Sequence, residues 1–180
     1  MRPKDGLLLT KLGDALNQLG KEDEAENVYR RATQISTNEW RCWMGLGQQL
    51  DSQCLNLLGA NDLLQEALAS PGSLTTVIGD HHPSAEAMGQ AQTLLKEAGA
   101  CFNRVVVLAT NEPDALLGRA WHECSAALAT HLIRHSHGQK EDTKPSGLVF
   151  FPESAVPYLQ RTIQLSPKTY RVIALTAYLQ

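Results

Sequence analysis

Apolar residues near the start of the chain recur every three or four positions, in two stretches that a short polar break separates. The stretches LLLTKLGDALNQL, from position 7, and AENVYRRA, from position 25, each place their apolar side chains on one side of a helix. The break, GKED at positions 20–23, supplies a glycine that can end one helix and acidic residues that favour the start of the next. This pattern predicts two helices joined by a tight turn.

The same pattern returns after a shift of 34 residues. Small side chains let two helices approach closely, and large apolar side chains fill the space between them, so these positions are predicted to form the core of helix pairs. Four equivalent positions coincide under the shift: Leu9 with Trp43, Leu12 with Leu46, Gly13 with Gly47, and Leu16 with Leu50.

Together with Ala25, Tyr29 and Ala32 in the second helix, these positions resemble the tetratricopeptide repeat (TPR) family. The resemblance implies an all-α fold, namely a right-handed TPR-type solenoid of helical hairpins. It further implies about three repeats plus a terminal helix, and a role in binding other proteins.

Two of the predicted repeats are split by insertions between their paired helices. The second-helix pattern of repeat two occurs at Ala98 and Phe102, and that of repeat three at Ala155 and Leu159, both well beyond the regular spacing. Ser84 and Asn38 stand where helix N-caps are expected. The predicted boundaries within one array over residues 1–180 are 6–39 for repeat one, 40–112 for repeat two with an insertion at about 58–88, 113–169 for repeat three with an insertion at about 135–151, and 170–180 for the terminal helix.

In the TPR family, the first helices of the repeats line a concave groove that binds partner segments. Trp121, with Met44 and Leu117, is the best candidate for an apolar anchor, because aromatic residues dominate the energetics of many interfaces. Three aspartates, at positions 14, 51 and 114, outnumber Arg41, so a basic or apolar partner segment is expected. Carried over residue by residue, the resemblance implies these groove residues: Thr10, Asp14, Asn17, Arg41, Met44, Gln48, Asp51, Leu117, Trp121 and Cys124.

One TPR subclass does not fit. TPR domains that grip the acidic carboxy-terminal tails of chaperones use lysine and asparagine where this chain has Thr10 and Asp14. The later clamp positions hold Gly45, Asp114 and Gly118. A role as a chaperone partner is therefore disfavoured.

A narrower resemblance comes from the order of the split repeats and the phrase LLKEAGACFNR at 94–104. Both are similar to the TPR scaffold subunit of the superkiller RNA-decay complex. That resemblance implies a protein that helps to hold a helicase and WD-repeat subunits in a cytoplasmic assembly that feeds RNA to the exosome.

Net charge, hydropathy and cysteine content restrict the expected partners and the expected cellular location. Sixteen basic residues against nineteen acidic ones give a net charge of −3, so direct binding of nucleic acid is not expected. No apolar stretch is long enough to span a bilayer, and the start of the chain lacks the core of a secretory signal. The four cysteines form no CxxC pair and indicate reduced, buried thiols, which favours a cytoplasmic protein.

The competing hypothesis is a small metal-dependent or thiol enzyme that uses a histidine-rich loop. His131 and His135 have the i, i+4 spacing that can share a metal on one helix face, but no HExxH arrangement accompanies them. His122 and Cys124 are too close in sequence to face each other on a helix. Phosphate-binding and nucleophile-elbow motifs are absent from the sequence. A protein without catalytic residues, metal or cofactor is therefore expected.

The end of the chain, YRVIALTAYLQ, is predicted to be the first helix of another repeat. Val172, Ile173, Leu175 and Leu179 are too many apolar residues for one packed face, and a terminal solenoid helix normally has a polar outer side. These residues are therefore expected to belong to a longer array or to dock against another chain.

Overall fold

A computed structural model of the chain describes residues 4–60, 83–136 and 152–167. No strand occurs in these three ranges, which confirms the all-α prediction for the described part of the chain. The predicted terminal helix at 170–180 lies outside it, as does most of both predicted insertions. The helices of the described part are α1 (Lys4–Gln18), α2 (Glu22–Ile35), α3 (Trp40–Leu57), α4 (Ala85–Leu108), α5 (Pro113–Ser136) and α6 (Val156–Leu165).

The turn between α1 and α2 has the predicted form. Gly20 follows α1 with a φ of 72°, in the left-handed region that glycine adopts without strain. The backbone N–H of Lys21 donates to the carbonyl of Leu16 at 2.9 Å, and this bond satisfies the end of α1. Three acidic residues occupy the first turn of α2, where the helix dipole favours negative charge.

Residues near the helix ends also mark where other helices begin. Ser84 caps α4, because its Oγ accepts the backbone N–H of the third helical residue at 3.1 Å. Pro157 lies in the first turn of α6, where its missing N–H costs nothing. The prediction of Asn38 as the cap of α3 is wrong. Glu39 caps that helix, since its carboxylate accepts a backbone N–H of the first turn at 3.3 Å.

The helices pack as neighbours with α3 at the centre. Contacts join α1 to α2, α3 to α4, and α5 to α6, and α3 also contacts α1, α2 and α5. The helix that packs most extensively on α3 therefore lies beyond residues 61–82, in the region of the first predicted insertion. The assignment of these pairs to TPR hairpins in a right-handed solenoid stays a prediction.

Glycines face aromatic rings where α3 packs on its neighbours. A Cβ atom on Gly13 or Gly45 would lie 2.6 Å or 2.7 Å from the ring of Tyr29, so the ring fits between α1 and α3 only because both positions lack a side chain. A Cβ atom on Gly47 would lie 2.7 Å from the ring of Phe102. Buried aromatic residues of α2 and α4 thus set the spacing around α3.

The outer side of α1 is more apolar and more exposed than the repeat pattern predicts. Leu12 is 48% exposed, whereas its equivalent Leu46 is 4% exposed and packs with residues of α2 and α4. Leu8 and Leu19 are exposed as well. This exposure shows that Leu12 is not the core residue that was predicted. None of the helices in the described ranges is long and apolar enough to cross a lipid bilayer.

Candidate functional site

Of the ten predicted groove residues, four are buried and six are accessible to solvent. Thr10, Asp51, Leu117 and Cys124 are buried inside the chain, so the prediction that they contact a partner needs correction. The other six side chains are accessible to solvent and lie on α1, α3 and α5. We call them the first-helix face: Asp14, Asn17, Arg41, Met44, Gln48 and Trp121.

Direct contacts join the three helices of this face. Thr10 of α1 lies with its Oγ1 3.4 Å from Sγ of Cys42 on α3, and the same hydroxyl donates to the carbonyl of Gly6 at 3.0 Å. On the other side of α3, a Cβ atom on Gly118 of α5 would lie 3.2 Å from Sδ of Met44. Thr10 therefore serves the packing of α1 on α3, because its hydroxyl is used inside the chain.

Asp14 and Asn17 surround the hydroxyl of Tyr29. This hydroxyl donates to Oδ1 of Asp14 at 2.9 Å, and Nδ2 of Asn17 donates to the Tyr29 oxygen at 3.5 Å. Burial and the carboxylate of Asp14 raise the pKa of Tyr29 well above its usual value. Both side chains thus stabilise the α1–α2 pair while keeping part of their surface accessible.

Asp51 pairs with His122 inside the protein. Nδ1 of His122 lies 2.9 Å from Oδ1 and 3.1 Å from Oδ2 of Asp51, and its ring stacks on Phe102 with the centroids 4.9 Å apart. Burial raises the pKa of the Asp51 carboxyl, and the hydrogen bond from His122 opposes that rise. The pair joins α3 to α5. Sequence reasoning missed it because 71 residues separate the partners and no local pattern links them.

A second polar cluster holds α5 in place. Arg119 forms an ion pair with Glu123 one turn later, and its Nη1 donates to Oδ1 of Asn103 on α4 at 2.9 Å. The hydroxyl of Ser154, just before α6, donates to Glu123 at 2.6 Å. The guanidinium of Arg119 also lies 5.6 Å from the ring centroid of Tyr158 on α6. These contacts restrain α5 from two neighbouring helices.

Two partly exposed apolar side chains, Met44 of α3 and Trp121 of α5, lie near the contact between these helices at the buried Gly118. We call Met44, Gly118 and Trp121 the apolar seam. Trp121 follows Gly118 by one helical turn, so the two lie on the same side of α5. Its indole packs on the cluster around Leu117 and Leu159 but is only partly buried. Its Nε1 donates to no acceptor in the described ranges.

Accessible charge on the first-helix face is more balanced than the sequence predicts. Asp51 contributes none to the surface, because it is buried against His122. Asp14 accepts from Lys11 at 3.2 Å, and Arg41 donates to Glu39 at 3.2 Å, so each of these charges has a neighbouring counter-charge. The face therefore favours apolar contacts over a strongly basic partner.

The cysteines lack the properties of catalytic thiols. All four are free and buried. Burial raises the pKa of Cys54, Cys101 and Cys124 to about 12, and it raises the pKa of Cys42 as well. A reactive cysteine needs the opposite shift, since the thiolate is the nucleophile.

The histidine pair of the enzyme hypothesis is described only in part. His131 lies half-buried on α5, while the side chain of His135 and the loop at 137–151 lie outside the described residues. Within those residues, no group of three or more histidine, cysteine, aspartate or glutamate side chains could hold a metal ion.

Comparison of this chain with protein-family models, with curated proteins and with solved structures finds no match. The resemblance to TPR repeats therefore rests on the sequence pattern alone.

Proposed function

We propose that this protein is a non-catalytic interaction module that binds a segment of a partner protein on its first-helix face. The observation that carries the proposal is the apolar seam: Met44 of α3 and Trp121 of α5 are both partly exposed, and Met44 lies against Gly118, one helical turn before Trp121. Tryptophan is enriched among residues that dominate binding energy, and methionine adapts its shape to different partners.

Contacts inside the protein hold the helices that carry the apolar seam, and this makes the seam suitable for binding. The Asp51–His122 pair joins α3 to α5, and the Arg119 cluster holds α5 against its other neighbours, so the seam loses little conformational freedom when a partner binds. Around the seam, Gln48 and Arg41 provide exposed polar side chains of the kind that border interfaces. An apolar segment with polar or weakly basic flanks fits this surface best.

The thiol-enzyme alternative is less well supported. A pKa of about 12 leaves the thiols of Cys54, Cys101 and Cys124 protonated at neutral pH. The metal-dependent alternative depends on the loop at 137–151, outside the described residues. Membership of a cytoplasmic RNA-decay assembly stays a prediction from the sequence resemblance.

The test begins with the immobilised full chain, which captures partners from a cell extract for identification by mass spectrometry. The affinity of the purified partner is then measured by calorimetry for the wild type, Trp121→Ala and Gln48→Arg. Gln48→Arg is included because Trp121 also touches the core, whereas Gln48 is exposed and its replacement adds bulk only to the face. Val107→Ala is the control, since Val107 is 68% exposed on α4, away from this face.

We expect both face variants to weaken binding by about tenfold or more, which corresponds to at least 1.4 kcal/mol. Val107→Ala should bind as the wild type does. Unchanged affinity in both face variants would move the partner site elsewhere on the chain. Stoichiometric metal in the purified protein would favour the enzyme hypothesis instead.

A further inference from the structure

A second candidate site lies on another side of the molecule. A cleft of about 540 Å³ opens between α2, α3 and α4. None of the residues that line it belongs to the first-helix face. They are Arg30, Thr33, Gln34, Trp43, Leu46, Glu97, Ala100, Cys101 and Arg104.

The middle of the cleft is apolar and well fixed. The indole of Trp43 is partly exposed, and its Nε1 donates to the carbonyl of Thr37 at 2.9 Å. Leu46 and Cys101 belong to the buried core beside it, and Ala100 leaves open space on the α4 side. A bulky apolar side chain can therefore lie against the Trp43 ring without a prior rearrangement.

One end of the cleft is closed by charge pairing. The guanidinium of Arg30 on α2 binds both carboxylate oxygens of Glu97 on α4, one of them at 2.9 Å through Nη2. Its Nε donates to Glu26 at 2.7 Å. These two carboxylates raise the pKa of Arg30 and use its three nitrogens, so this end has no cation left for a ligand.

Arg104 lies at the other end of the cleft, and no carboxylate in the described part of the chain pairs with it. Arg104 on α4 uses only Nη2, which lies 3.1 Å from Oδ1 of Asn38 and 3.5 Å from the carbonyl of Thr37. Both acceptors are neutral. Among the described residues no carboxylate pairs with Arg104, and its Nε and Nη1 donate to no acceptor. The bonds to the α2–α3 turn hold the guanidinium in place while leaving an edge suited to a carboxylate.

We propose that this cleft binds an acidic–apolar peptide segment of a partner protein, with a carboxylate on Arg104 and a large apolar side chain on Trp43. Glu97 and Arg104 are two helical turns apart, or about 10 Å along α4. That length accommodates one acidic and one neighbouring apolar side chain. A nucleic acid fits less well, since Glu97 and Glu26 place negative charge at the far end and the whole chain carries a net charge of −3.

The test is a selection of short random peptides displayed on phage, with the full-length protein as bait and the Arg104→Glu variant for counter-selection. Selected peptides are then synthesised with a fluorescent label, and their affinities are measured by anisotropy. Ala100→Gln is a second variant, because Ala100 is exposed on α4 and a longer side chain there fills the cleft without touching the core. Arg134→Glu is the matched control, since it makes the same charge change at an exposed position of α5.

We expect the selected peptides to share an acidic residue beside a large apolar one. Arg104→Glu and Ala100→Gln should each weaken binding about tenfold or more, while Arg134→Glu should not. Selected peptides without acidic residues would overturn the proposal, and so would equal losses in the Arg104 and Arg134 variants. A single-stranded RNA probe that binds and displaces the peptides would assign the cleft to nucleic acid and overturn it as well.

The proposal is independent of the function proposed for the first-helix face. Trp121→Ala should leave peptide affinity at the cleft unchanged, because Trp121 is not among its lining residues. Loss of peptide binding in that variant would place the peptides on the apolar seam and overturn the cleft as their site.

Discussion

Asp51 of α3 and His122 of α5 form a buried pair, with Nδ1 of the imidazole 2.9 Å from the nearer carboxylate oxygen. The side chains are only 10% and 6% exposed, and the Phe102 ring covers one face of the imidazole. Because the pair joins the two helices that carry the apolar seam, we expect it to stabilise this part of the fold.

Replacing Asp51 with alanine should lower the free energy of unfolding by about 3 kcal/mol, since a buried imidazole then loses its partner. Asp51→Asn should cost less, because an amide oxygen still accepts a hydrogen bond from Nδ1 of His122. Urea denaturation of the three proteins checks both values. Equal losses in the two variants would show that the hydrogen bond contributes little.

The Asp51–His122 pair also predicts that the stability of the wild type and the stability of Asp51→Asn depend differently on pH. Burial raises the pKa of Asp51 in the folded protein above its usual value of 3.8. The folded state therefore holds this proton at a pH where the unfolded state has released it, so the contribution of Asp51 to stability is largest below 3.8 and is lost as the pH rises through the raised pKa. Asp51→Asn lacks this contribution to the pH dependence.

The measurement is the difference in unfolding free energy between the wild type and Asp51→Asn, followed from acid to neutral pH. As the pH increases, the free energy of unfolding of Asp51→Asn should rise relative to that of the wild type. A difference that stays constant over that range would mean that the carboxyl of Asp51 titrates alike in both states.

Two glycine-to-alanine substitutions should change the stability of the protein in opposite directions. Gly47→Ala places a Cβ 2.7 Å from the buried ring of Phe102, so we expect a loss of about 1–3 kcal/mol from overpacking. Gly89→Ala is the matched control on α4, where a Cβ meets nothing within 4 Å. It should stabilise the protein by about 0.5–1 kcal/mol through helix propensity. Thermal unfolding distinguishes them, and a stabilised Gly47→Ala protein would contradict the packing of α3 on α4.

The thiols should resist modification while the protein is folded. All four cysteines are buried, and burial raises the pKa of three of them to about 12. Ellman's reagent at neutral pH should therefore react slowly with the native chain and fully with four thiols in denaturant. One thiol that reacts faster than free cysteine in the native protein would revive the thiol-enzyme hypothesis.

Local sequence was enough for the helices and for several of their ends. The polar break with Gly20 predicted the turn between α1 and α2, and Ser84 predicted the start of α4. These features depend on hydrogen bonds between residues close in the chain, so a short window contains the necessary information. Asn38 shows the limit of such signals, because the residue after it provides the cap and Asn38 instead bonds Arg104, 66 residues away.

Only the packed tertiary structure decided which residues are buried and which side chains pair. Leu12 and Leu46 occupy equivalent places in the repeat pattern, yet one is 48% and the other 4% exposed, because only Leu46 has helices on both sides among the described residues. Asn17 and Asp51 are equivalent under the same shift of 34, but Asp51 meets a histidine of α5 and becomes part of the interior. Periodicity reports which residues share one side of a single helix. Which side is covered, and by what chemistry, depends on neighbours that the chain brings together only when it folds.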